Sequence, residues 1–281
     1  MNDAPPSYRV LPGAPESPVL LHVPHSSRAI PAAVRHGIVL DDAALEGELD
    51  HITDAHTDRI AEAAADRSAM RPWRFVNQLS RLVIDPERFP DEREEMLAVG
   101  MGAVYTRTTH REVLRPSGRD GLALDGLALD GLPADGQPLI DGYFHPYTTA
   151  MTAAVTDRLD AVGRAVVIDV HSYPSEPLPY ELHGDGPRPP VCLGSDPFHT
   201  PPDLLAAAEA AFTGFGGTGV NSPFGGTYVP LKYYGHDPRV TALMVEIRRD
   251  VYMAEPGGPA GPGLRQLADA LARLVDVLTS A

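Results

Sequence analysis

The sequence predicts an α/β fold in which helices cover both faces of a layered sheet. Two apolar runs, residues 164–173 (RAVVIDVHSY) and 19–26 (VLLHVPHS), are typical of strands that are buried on both faces. A third run, residues 241–248 (TALMVEIR), has the same character. Segments with helical periodicity separate the runs, and strands that alternate with helices indicate a sheet between two helical layers.

Composition limits the class of protein. The chain has 281 residues, 43% hydrophobic and 22% charged, which is ordinary for a globular protein with a large core. No linker is visible, so residues 1–281 are predicted to form a single domain. The net charge of −15 and the pI near 5.0 argue against nucleic acid or an anionic membrane as the main partner. The oligomeric state stays open.

Cysteine content and the first residues bear on the compartment. The single cysteine, Cys192, excludes an internal disulfide and fits a reducing environment. The first ten residues have neither the basic nor the apolar region of a signal peptide. No apolar run approaches the roughly 20 residues that span a bilayer. We therefore expect a cytoplasmic protein.

The N-terminal part contains one predicted strand and one long helical segment. Residues 1–16 are rich in proline and are predicted to be irregular, and a strand follows at residues 19–23. Asp41 or Asp42 can cap a helix. Leucine and isoleucine then recur at helical spacing, which predicts helical structure over residues 42–67, in one piece or in two.

The middle of the chain is less regular. Residues 73–79 and 81–84 are predicted to be strands. Residues 89–140 are predicted to be an insertion or flap. Within them, residues 121–132 (GLALDGLALDGL) form an imperfect five-residue repeat that indicates either turns or a short hairpin.

The C-terminal part returns to alternating elements. Residues 141–163 and 263–278 show amphipathic helical patterns, residues 203–212 are predicted to be a helix, and residues 191–194 a short strand. Residues 214–226 are rich in glycine but do not connect a strand to a helix in the manner of a phosphate loop. We therefore predict no nucleotide site there.

Chemistry-bearing side chains stand near the ends of three predicted strands. His25 follows the first run, His171 lies near the end of the second, and Glu246 lies near the end of the third. Ligands bind outside the carboxyl ends of strands in open α/β sheets. Asp169 shares a strand face with His171 and can orient its imidazole. A lone histidine at a strand end is more often a core residue, but two strands that each end in His-Ser favour one shared site.

This set of residues is typical of a catalytic zinc site. Such a site uses three protein ligands and leaves one position for water, and two histidines with a carboxylate satisfy that requirement. A further carboxylate nearby can accept the proton of the water. The sequence therefore predicts a metallohydrolase.

Two further groups have alternative interpretations. Asp50, Asp54 and Asp58 lie four residues apart and form either a solvated acidic stripe or, if the helix breaks near residue 54, a site in which Asp54 faces the histidines. Arg81 and Arg88 bracket a predicted strand. Arginines are usually solvated, but a guanidinium also matches a substrate carboxylate in a two-pronged fork.

Six segments resemble, in order over nearly the whole chain, the motifs of the N-formylglutamate amidohydrolase family. They are residues 24–27 (PHSS), 53–60 (TDAHTDRI), 80–88 (SRLVIDPER), 169–173 (DVHSY), 221–229 (NSPFGGTYV) and 245–253 (VEIRRDVYM). The resemblance implies a zinc-carboxypeptidase-like and aspartoacylase-like fold, with three layers and a mixed, mostly parallel central sheet flanked by helices. It also implies hydrolysis of the amide of an N-formyl or N-acyl amino acid, N-formylglutamate-like, as in histidine degradation.

The resemblance also implies roles for individual residues. One Zn²⁺ ion, or another divalent metal, would bind His25, Asp54 and His171, with Asp50 and Glu48 as substitutes for Asp54. Glu246 would be the general base. The remaining roles are Arg81 and Arg88 as contacts of the substrate carboxylate, with Arg88 also catalytic, Asn221 and Arg248 as secondary substrate contacts, and Asp169 as the residue that orients His171.

The chain departs from the family pattern in three places, one of which is the insertion that contains the Gly/Asp repeat at residues 121–132. The family often reads Asp-Leu-Asn-Arg where residues 85–88 read Asp-Pro-Glu-Arg, so Glu87 replaces an amide and would repel an anionic substrate if it faced the pocket. The family's Pro-Tyr-His is here Pro-Tyr-Thr at residues 146–148. Two alternatives to this function stay open, namely a carboxypeptidase-like peptide hydrolase and a metal-free, non-catalytic small-molecule binder on the same fold.

Overall fold

A seven-stranded sheet forms the centre of the described chain. The computed structural model describes residues 7–116 and 136–280, so the repeat at 121–132 and part of the predicted insertion lie outside the described residues. The strand order across the sheet is β1-β3-β2-β4-β7-β5-β6. The strands are β1 (Tyr8–Leu11), β2 (Val19–Val23), β3 (Trp73–Asn77), β4 (Ala165–Tyr173), β5 (Val191–Gly194), β6 (Thr218–Val220) and β7 (Val240–Arg248).

The direction of the central strands puts their carboxyl ends on the same side of the sheet. The four central strands, β3, β2, β4 and β7, run parallel to one another. β1 pairs antiparallel with β3, β5 pairs antiparallel with β7, and β6 runs parallel to β5. The predicted mixed, mostly parallel sheet is therefore confirmed. Because the central strands are parallel, their carboxyl ends lie next to one another, and side chains that follow these ends can share one site.

Helices cover both faces, as predicted. Those of the described residues are α1 (Ala32–Arg35), α2 (Asp42–Ile52), α3 (Thr57–Arg67), α4 (Gly136–Leu139), α5 (His145–Val162), α6 (Pro202–Phe212) and α7 (Gly263–Ser280). Helices α3, α6 and α7 pack in one hydrophobic cluster with one face of the sheet, and α5 packs in a second cluster with the other face. None of the helices in these parts of the chain combines the length and apolarity needed to cross a membrane.

Strand alternation explains how one buried run serves two cores. In β2, Leu21 belongs to the cluster under α3, α6 and α7, whereas Leu20 belongs to the cluster under α5. In β4, Ile168 and Val167 divide in the same way. Successive side chains of a strand point to opposite faces, so a run that is apolar at every position fits a sheet between two helical layers.

The structure differs from the sequence-based elements in several places. Thr218–Val220, within the glycine-rich segment, forms the edge strand β6. Tyr8–Leu11, inside the segment predicted to be irregular, forms the edge strand β1 because its backbone pairs with β3. Residues 81–84, predicted to be a strand, form a turn instead. The Ser80 hydroxyl accepts a hydrogen bond from the Leu82 N–H at 3.1 Å, and the Ser80 carbonyl accepts one from the Val83 N–H at 2.8 Å. These local bonds give the backbone an alternative to a sheet ladder.

Candidate metal and catalytic site

A break between two helices brings Asp54 to His25. Helix α2 ends at Ile52, and Thr53 has an extended backbone with ψ of 133°. The N–H of Asp54 donates to the carbonyl oxygen of His25 at 3.0 Å, two residues beyond the end of β2. His56 then takes a left-handed backbone with φ of 68° before α3 begins. The predicted helical segment is therefore interrupted between Ile52 and Thr57, and this interruption places Asp54 beside the carboxyl end of β2.

Three ligand atoms converge at this point. The Nδ1 atoms of His25 and His171 are 3.2 Å apart, and Asp54 Oδ2 lies 3.2 Å from His171 Nδ1 and 3.6 Å from His25 Nδ1. Tetrahedral ligands with bonds of about 2.0–2.1 Å to zinc stand roughly 3.3–3.4 Å apart. These buried residues therefore fit a divalent cation.

The two acids considered as substitutes for Asp54 lie elsewhere. The Asp50 carboxylate pairs with Arg28 at 2.7 Å, on the surface of α2. The Glu48 carboxylate is buried and accepts hydrogen bonds from the N–H and the hydroxyl of Thr109, at 2.8 and 2.7 Å. The geometry thus places Asp54, and neither of these acids, beside the two histidines.

Carboxylates face the other nitrogen of each imidazole. His25 Nε2 lies 3.0 Å from Asp85 Oδ1, and His171 Nε2 lies 3.2 Å from Asp169 Oδ1. Asp169 also links His171 to a buried chain of polar groups. Its Oδ1 lies 2.8 Å from His22 Nδ1, and His22 Nε2 lies 2.6 Å from the Tyr147 hydroxyl. Hydrogen-bonded partners of this kind fix the ring orientation of a ligating histidine and its tautomer. The His25–Asp85 contact is such a hydrogen bond, whereas His171 Nε2 is close to Asp169 without hydrogen-bond geometry.

The sequence pointed to Asp169 but not to Asp85 or His22. Asp85 is visible in the SRLVIDPER segment, but a predicted strand over residues 81–84 gives no reason to expect its carboxylate at His25. His22 was visible within the first apolar run, as a polar residue in an otherwise apolar strand. Its partner becomes evident only from the β2–β4 register, in which His22 and Asp169 are paired.

The surroundings of Asp54 and Asp85 favour the ionised form of both carboxylates. Burial raises the pKa of Asp54, but hydrogen bonds from His171 and His25 outweigh it and lower the pKa overall. Burial likewise raises the pKa of Asp85, but the charges of Arg81 and His25 hold it well below its usual range. The ionised carboxylate is the form that binds a cation.

Glu246 faces the same cluster from the neighbouring strand. The parallel pairing of β4 and β7 puts Glu246 in register with His171. The side chain is buried, and its Oε2 has no hydrogen-bond partner among the described residues. Burial raises the pKa of Glu246 to about 7. A carboxyl group with such a pKa can accept and return a proton near neutral pH.

Glu87 points into the site. Its Oε2 lies 3.2 Å from His171 Nε2 and 3.5 Å from His25 Nε2, and its Oε1 lies 3.5 Å from His22 Nδ1. The acid that departs from the family pattern therefore contacts the histidine cluster directly. An anionic group placed next to it would meet like charge.

Arg81 and Arg88, the predicted contacts of the substrate carboxylate, differ in how closely each is paired with acids of the protein. Arg81 donates to Asp85 Oδ2 from Nη2 at 2.6 Å and from Nε at 3.2 Å. Arg88 lies farther from its acids, 3.5 Å from Asp85 and 3.7 Å from Glu94, and its buried Nε has no hydrogen-bond partner among the described residues. Arg88 is therefore the freer guanidinium for a substrate.

Asn221 and Arg248, the predicted secondary substrate contacts, do not line the cavity that contains the two histidines. The neighbouring Arg249 does line it. Asn221 donates to the Ser195 hydroxyl at 2.8 Å, and Arg248 donates to Asp250 at 2.7 Å. Arg249 lines the pocket, with Nη2 3.1 Å from Asp54 Oδ1. Its signal was the Arg-Arg pair that follows Glu246 and Ile247 in the sequence.

Two cavities adjoin the cluster. The smaller cavity, of about 160 Å³, is lined by His25, Asp54, His171, Glu246, Arg81, Arg88 and Arg249, among others. A larger cavity, of about 700 Å³, lies beside it. Both are lined by Glu87, Arg88, Glu95, Gly225 and Met244, so these residues form the boundary between them.

Comparisons with known proteins identify the family and support the fold. The family model described as N-formylglutamate amidohydrolase matches residues 17–253. The crystal structure of N-formylglutamate amidohydrolase from Ralstonia eutropha JMP134 is similar, with a TM-score of 0.75 and 23% identity, over 98% of this chain and 97% of that chain. A gene product from Agrobacterium tumefaciens has a TM-score of 0.65 at 18% identity, over 98% and 96%. At these identities the two structures show the fold. No protein with a curated description matches the chain.

Proposed function

The chain belongs to the N-formylglutamate amidohydrolase family, and on that premise we propose that it is a zinc-dependent amidohydrolase acting on N-formyl or N-acyl amino acids. Family membership supports an amide hydrolase with a small-molecule substrate. The observation that carries the metal dependence is the convergence of His25, Asp54 and His171, whose three ligand atoms stand 3.2–3.6 Å apart in a buried pocket.

Each residue of the cluster has a defined task in this proposal. His25, Asp54 and His171 would hold one Zn²⁺ ion, or another divalent metal. When bound, the ion would polarise the amide carbonyl and make a water molecule more acidic. Asp85 and Asp169 would keep the two imidazoles oriented, so that the Nδ1 atoms stay available.

Glu246 would move the proton. Its carboxylate would accept a proton from the attacking water and pass it to the leaving amide nitrogen, which then departs as an amine. Its burial, its raised pKa and the absence of a hydrogen-bond partner for its Oε2 within the described part of the chain support this role. The products would be a carboxylic acid and a free amino acid.

The arginines would position the substrate. Arg88 would contact the α-carboxylate, since its own acids lie at 3.5 Å or beyond. Arg81 would assist from its pair with Asp85, and Asn221 and Arg248 remain proposed as secondary contacts. We also propose N-formylglutamate-like substrates and a place in histidine degradation, both of which rest on the family resemblance. The proposed cytoplasmic location rests on the single cysteine, Cys192.

Metal analysis with matched variants tests the proposal. We expect protein purified without added metal to carry about one divalent ion per chain and to release formate from N-formyl-L-glutamate. Asp54→Asn should lose both the metal and turnover because it removes one of three ligands. Asp50→Asn removes an acid four residues earlier that pairs with Arg28, and should retain both.

Other outcomes favour the alternatives. Full turnover without any bound metal, or in Asp54→Asn, would overturn the metal-dependent proposal. Metal-free protein that binds but never cleaves N-acyl amino acids would favour the non-catalytic binder. Cleavage of peptides in preference to N-formyl and N-acetyl amino acids would favour the carboxypeptidase-like hydrolase.

A further inference from the structure

The large cavity has the size of a ligand pocket and opens beside the cluster. Its volume of about 700 Å³ falls within the range of roughly 300–1,000 Å³ that holds whole small-molecule ligands. The cavity that contains the histidines, at about 160 Å³, lies below that range. Because the cavities share Glu87, Arg88 and Met244, a substrate whose amide lies at the histidines has the large cavity next to it.

The walls of the large cavity are mainly apolar and aromatic, with threonines along one side. Thr148, Thr149 and Thr152 line it from α5. The apolar lining includes Phe89, Phe144, Tyr228, Leu231, Tyr234 and Met244. Leu231 is 47% exposed and Tyr234 is 38% exposed, and the Tyr234 ring lies 6.2 Å from that of Phe89. Clustered exposed apolar groups with a polar surround mark binding grooves.

Two charged residues of the lining, Arg93 and Glu94, already have partners. Arg93 pairs with Asp91 at 2.7 Å and lies over the Phe89 ring, 4.8 Å from its centroid. Glu94 accepts hydrogen bonds from the N–H groups of Phe89 and Met96, both at 3.0 Å. These two charges therefore do not require an ionic ligand, and Lys232 is exposed to solvent.

Glu87 governs what can pass between the cavities. Its carboxylate lies at the boundary and faces the histidines. An acidic side chain that extends past Glu87 would meet like charge, whereas an apolar group would not. Because the proposed function assigns Arg88 to the α-carboxylate, the other charged residues of the boundary are the acids Glu87 and Glu95, which favour an uncharged occupant of the large cavity.

From these observations, and resting on the proposed function, we propose that the substrate is an N-acyl amino acid with a bulky apolar group that occupies the large cavity. The group belongs either to the acyl part or to the amino acid side chain. Both share the chemistry that the walls recognise, and the substrates below distinguish them.

Three substrates test the proposal on the full-length, metal-loaded protein. They are N-formyl-L-glutamate, N-formyl-L-phenylalanine and N-phenylacetyl-L-glutamate. We expect kcat/KM for one of the two bulky substrates to exceed that for N-formyl-L-glutamate by at least about tenfold, the lower end of what an apolar pocket contributes. Preference for the second substrate assigns the cavity to the side chain, and preference for the third assigns it to the acyl group.

A variant that narrows the cavity links the preference to this site. Thr148→Trp should lower kcat/KM for the preferred bulky substrate by at least about tenfold, and should change that for N-formyl-L-glutamate less than about threefold. Thr279→Trp is the matched control. Thr279 is also a half-buried helical threonine whose hydroxyl bonds a backbone carbonyl one turn earlier, but it lies in α7 and lines neither cavity.

Binding of 4-phenylbutyrate, measured by calorimetry, separates this inference from the proposed function. Binding to wild type and Thr279→Trp with loss in Thr148→Trp supports the apolar cavity, even if no substrate is cleaved and the proposed function fails. Hydrolysis of N-formyl-L-glutamate with no gain from either bulky group overturns the inference and leaves the proposed function intact. Absence of 4-phenylbutyrate binding to folded wild-type protein also overturns the inference.

Discussion

At the scale of single residues, Glu246 shows how a strand position sets chemical behaviour. Burial raises its pKa, the nearby charge of His171 lowers it, and burial dominates, so that the pKa lies at about 7. The same glutamate on the surface would be ionised throughout the neutral range. The parallel register with His171 therefore supplies the site with a group that exchanges protons near neutral pH.

Replacement of Glu246 tests its proposed role in proton transfer. Glu246→Gln preserves the size of the side chain but removes its basicity, so kcat should fall by about 10²–10⁴-fold. Metal content and thermal unfolding should stay close to wild type, because the three proposed metal ligands are unchanged. Glu209→Gln, on the exposed side of α6, is the control and should retain full turnover. Undiminished turnover in Glu246→Gln would contradict the assignment.

Asp85 concentrates several buried contacts. Its carboxylate contacts His25 Nε2 and Arg81, and accepts a hydrogen bond from the Tyr105 hydroxyl at 2.6 Å. Asp85→Asn should weaken metal binding by about 10–100-fold through misorientation of His25. It should also lower the free energy of unfolding by about 3–5 kcal/mol, because Arg81 would stay buried without its charge partner.

Competition with a metal chelator and urea unfolding measure the two effects. Asp237→Asn is the matched control, since Asp237 pairs with Arg239 at 2.6 Å near the surface, where loss of a pair costs about 1 kcal/mol or less. If Asp85→Asn and Asp237→Asn had equal effects on metal affinity, Asp85 would have no orienting role.

At the scale of elements, the sequence predicted most strands and helices but not their neighbours. Apolar runs and helical periodicity are local signals, and they located β2, β4, β7 and the two helices of the 42–67 segment. Strand order depends on contacts between distant segments, so the pairing of His171 with Glu246 and of His22 with Asp169 needed the structure. The three metal-ligand candidates could be named from motifs, whereas Asp85 and Arg249 required tertiary geometry.

Glu48 joins α2 to the segment that contains Thr109. Burial raises the pKa of Glu48 to about 7 from an ordinary value of 4.5, although hydrogen bonds from Thr109 oppose the rise. The folded chain thus holds this proton more tightly than the unfolded chain. The associated stability is complete below pH 4.5 and is lost as the pH rises through about 7, at up to about 1.4 kcal/mol per pH unit.

Glu48→Gln should therefore flatten the decline of unfolding free energy between pH 5 and 7.5, roughly the interval over which Glu48 titrates. The amide keeps an acceptor for the Thr109 N–H and does not titrate. Urea denaturation across this range, with the exposed Glu62→Gln in α3 as the control, measures the difference. Identical pH slopes in wild type and Glu48→Gln would show that Glu48 does not titrate with a raised pKa.

At the scale of the whole molecule, the proposed metal ligands come from three separate places in the chain. His25 follows β2, Asp54 lies between α2 and α3, and His171 belongs to β4. An unfolded chain cannot hold the three together, so a cation would bind the folded state alone. Metal binding and folding should consequently be coupled.

Removal of metal should therefore destabilise the protein. With free metal at 100 times its dissociation constant, binding adds about 2.7 kcal/mol to the free energy of unfolding. Dialysis against a chelator should lower the melting temperature of wild type and Asp50→Asn, and zinc should restore it. The melting temperature of Asp54→Asn should not respond to either treatment. Equal responses in all three proteins would place the metal elsewhere.

Lys232 lines the large cavity and is the only lysine in the sequence. Its side chain is exposed. Apart from the α-amino group of the first residue, an amine-reactive dye has a single attachment point on this chain. A fluorophore placed there would lie on the wall of the cavity, so its emission should report occupancy in real time without any engineered labelling site.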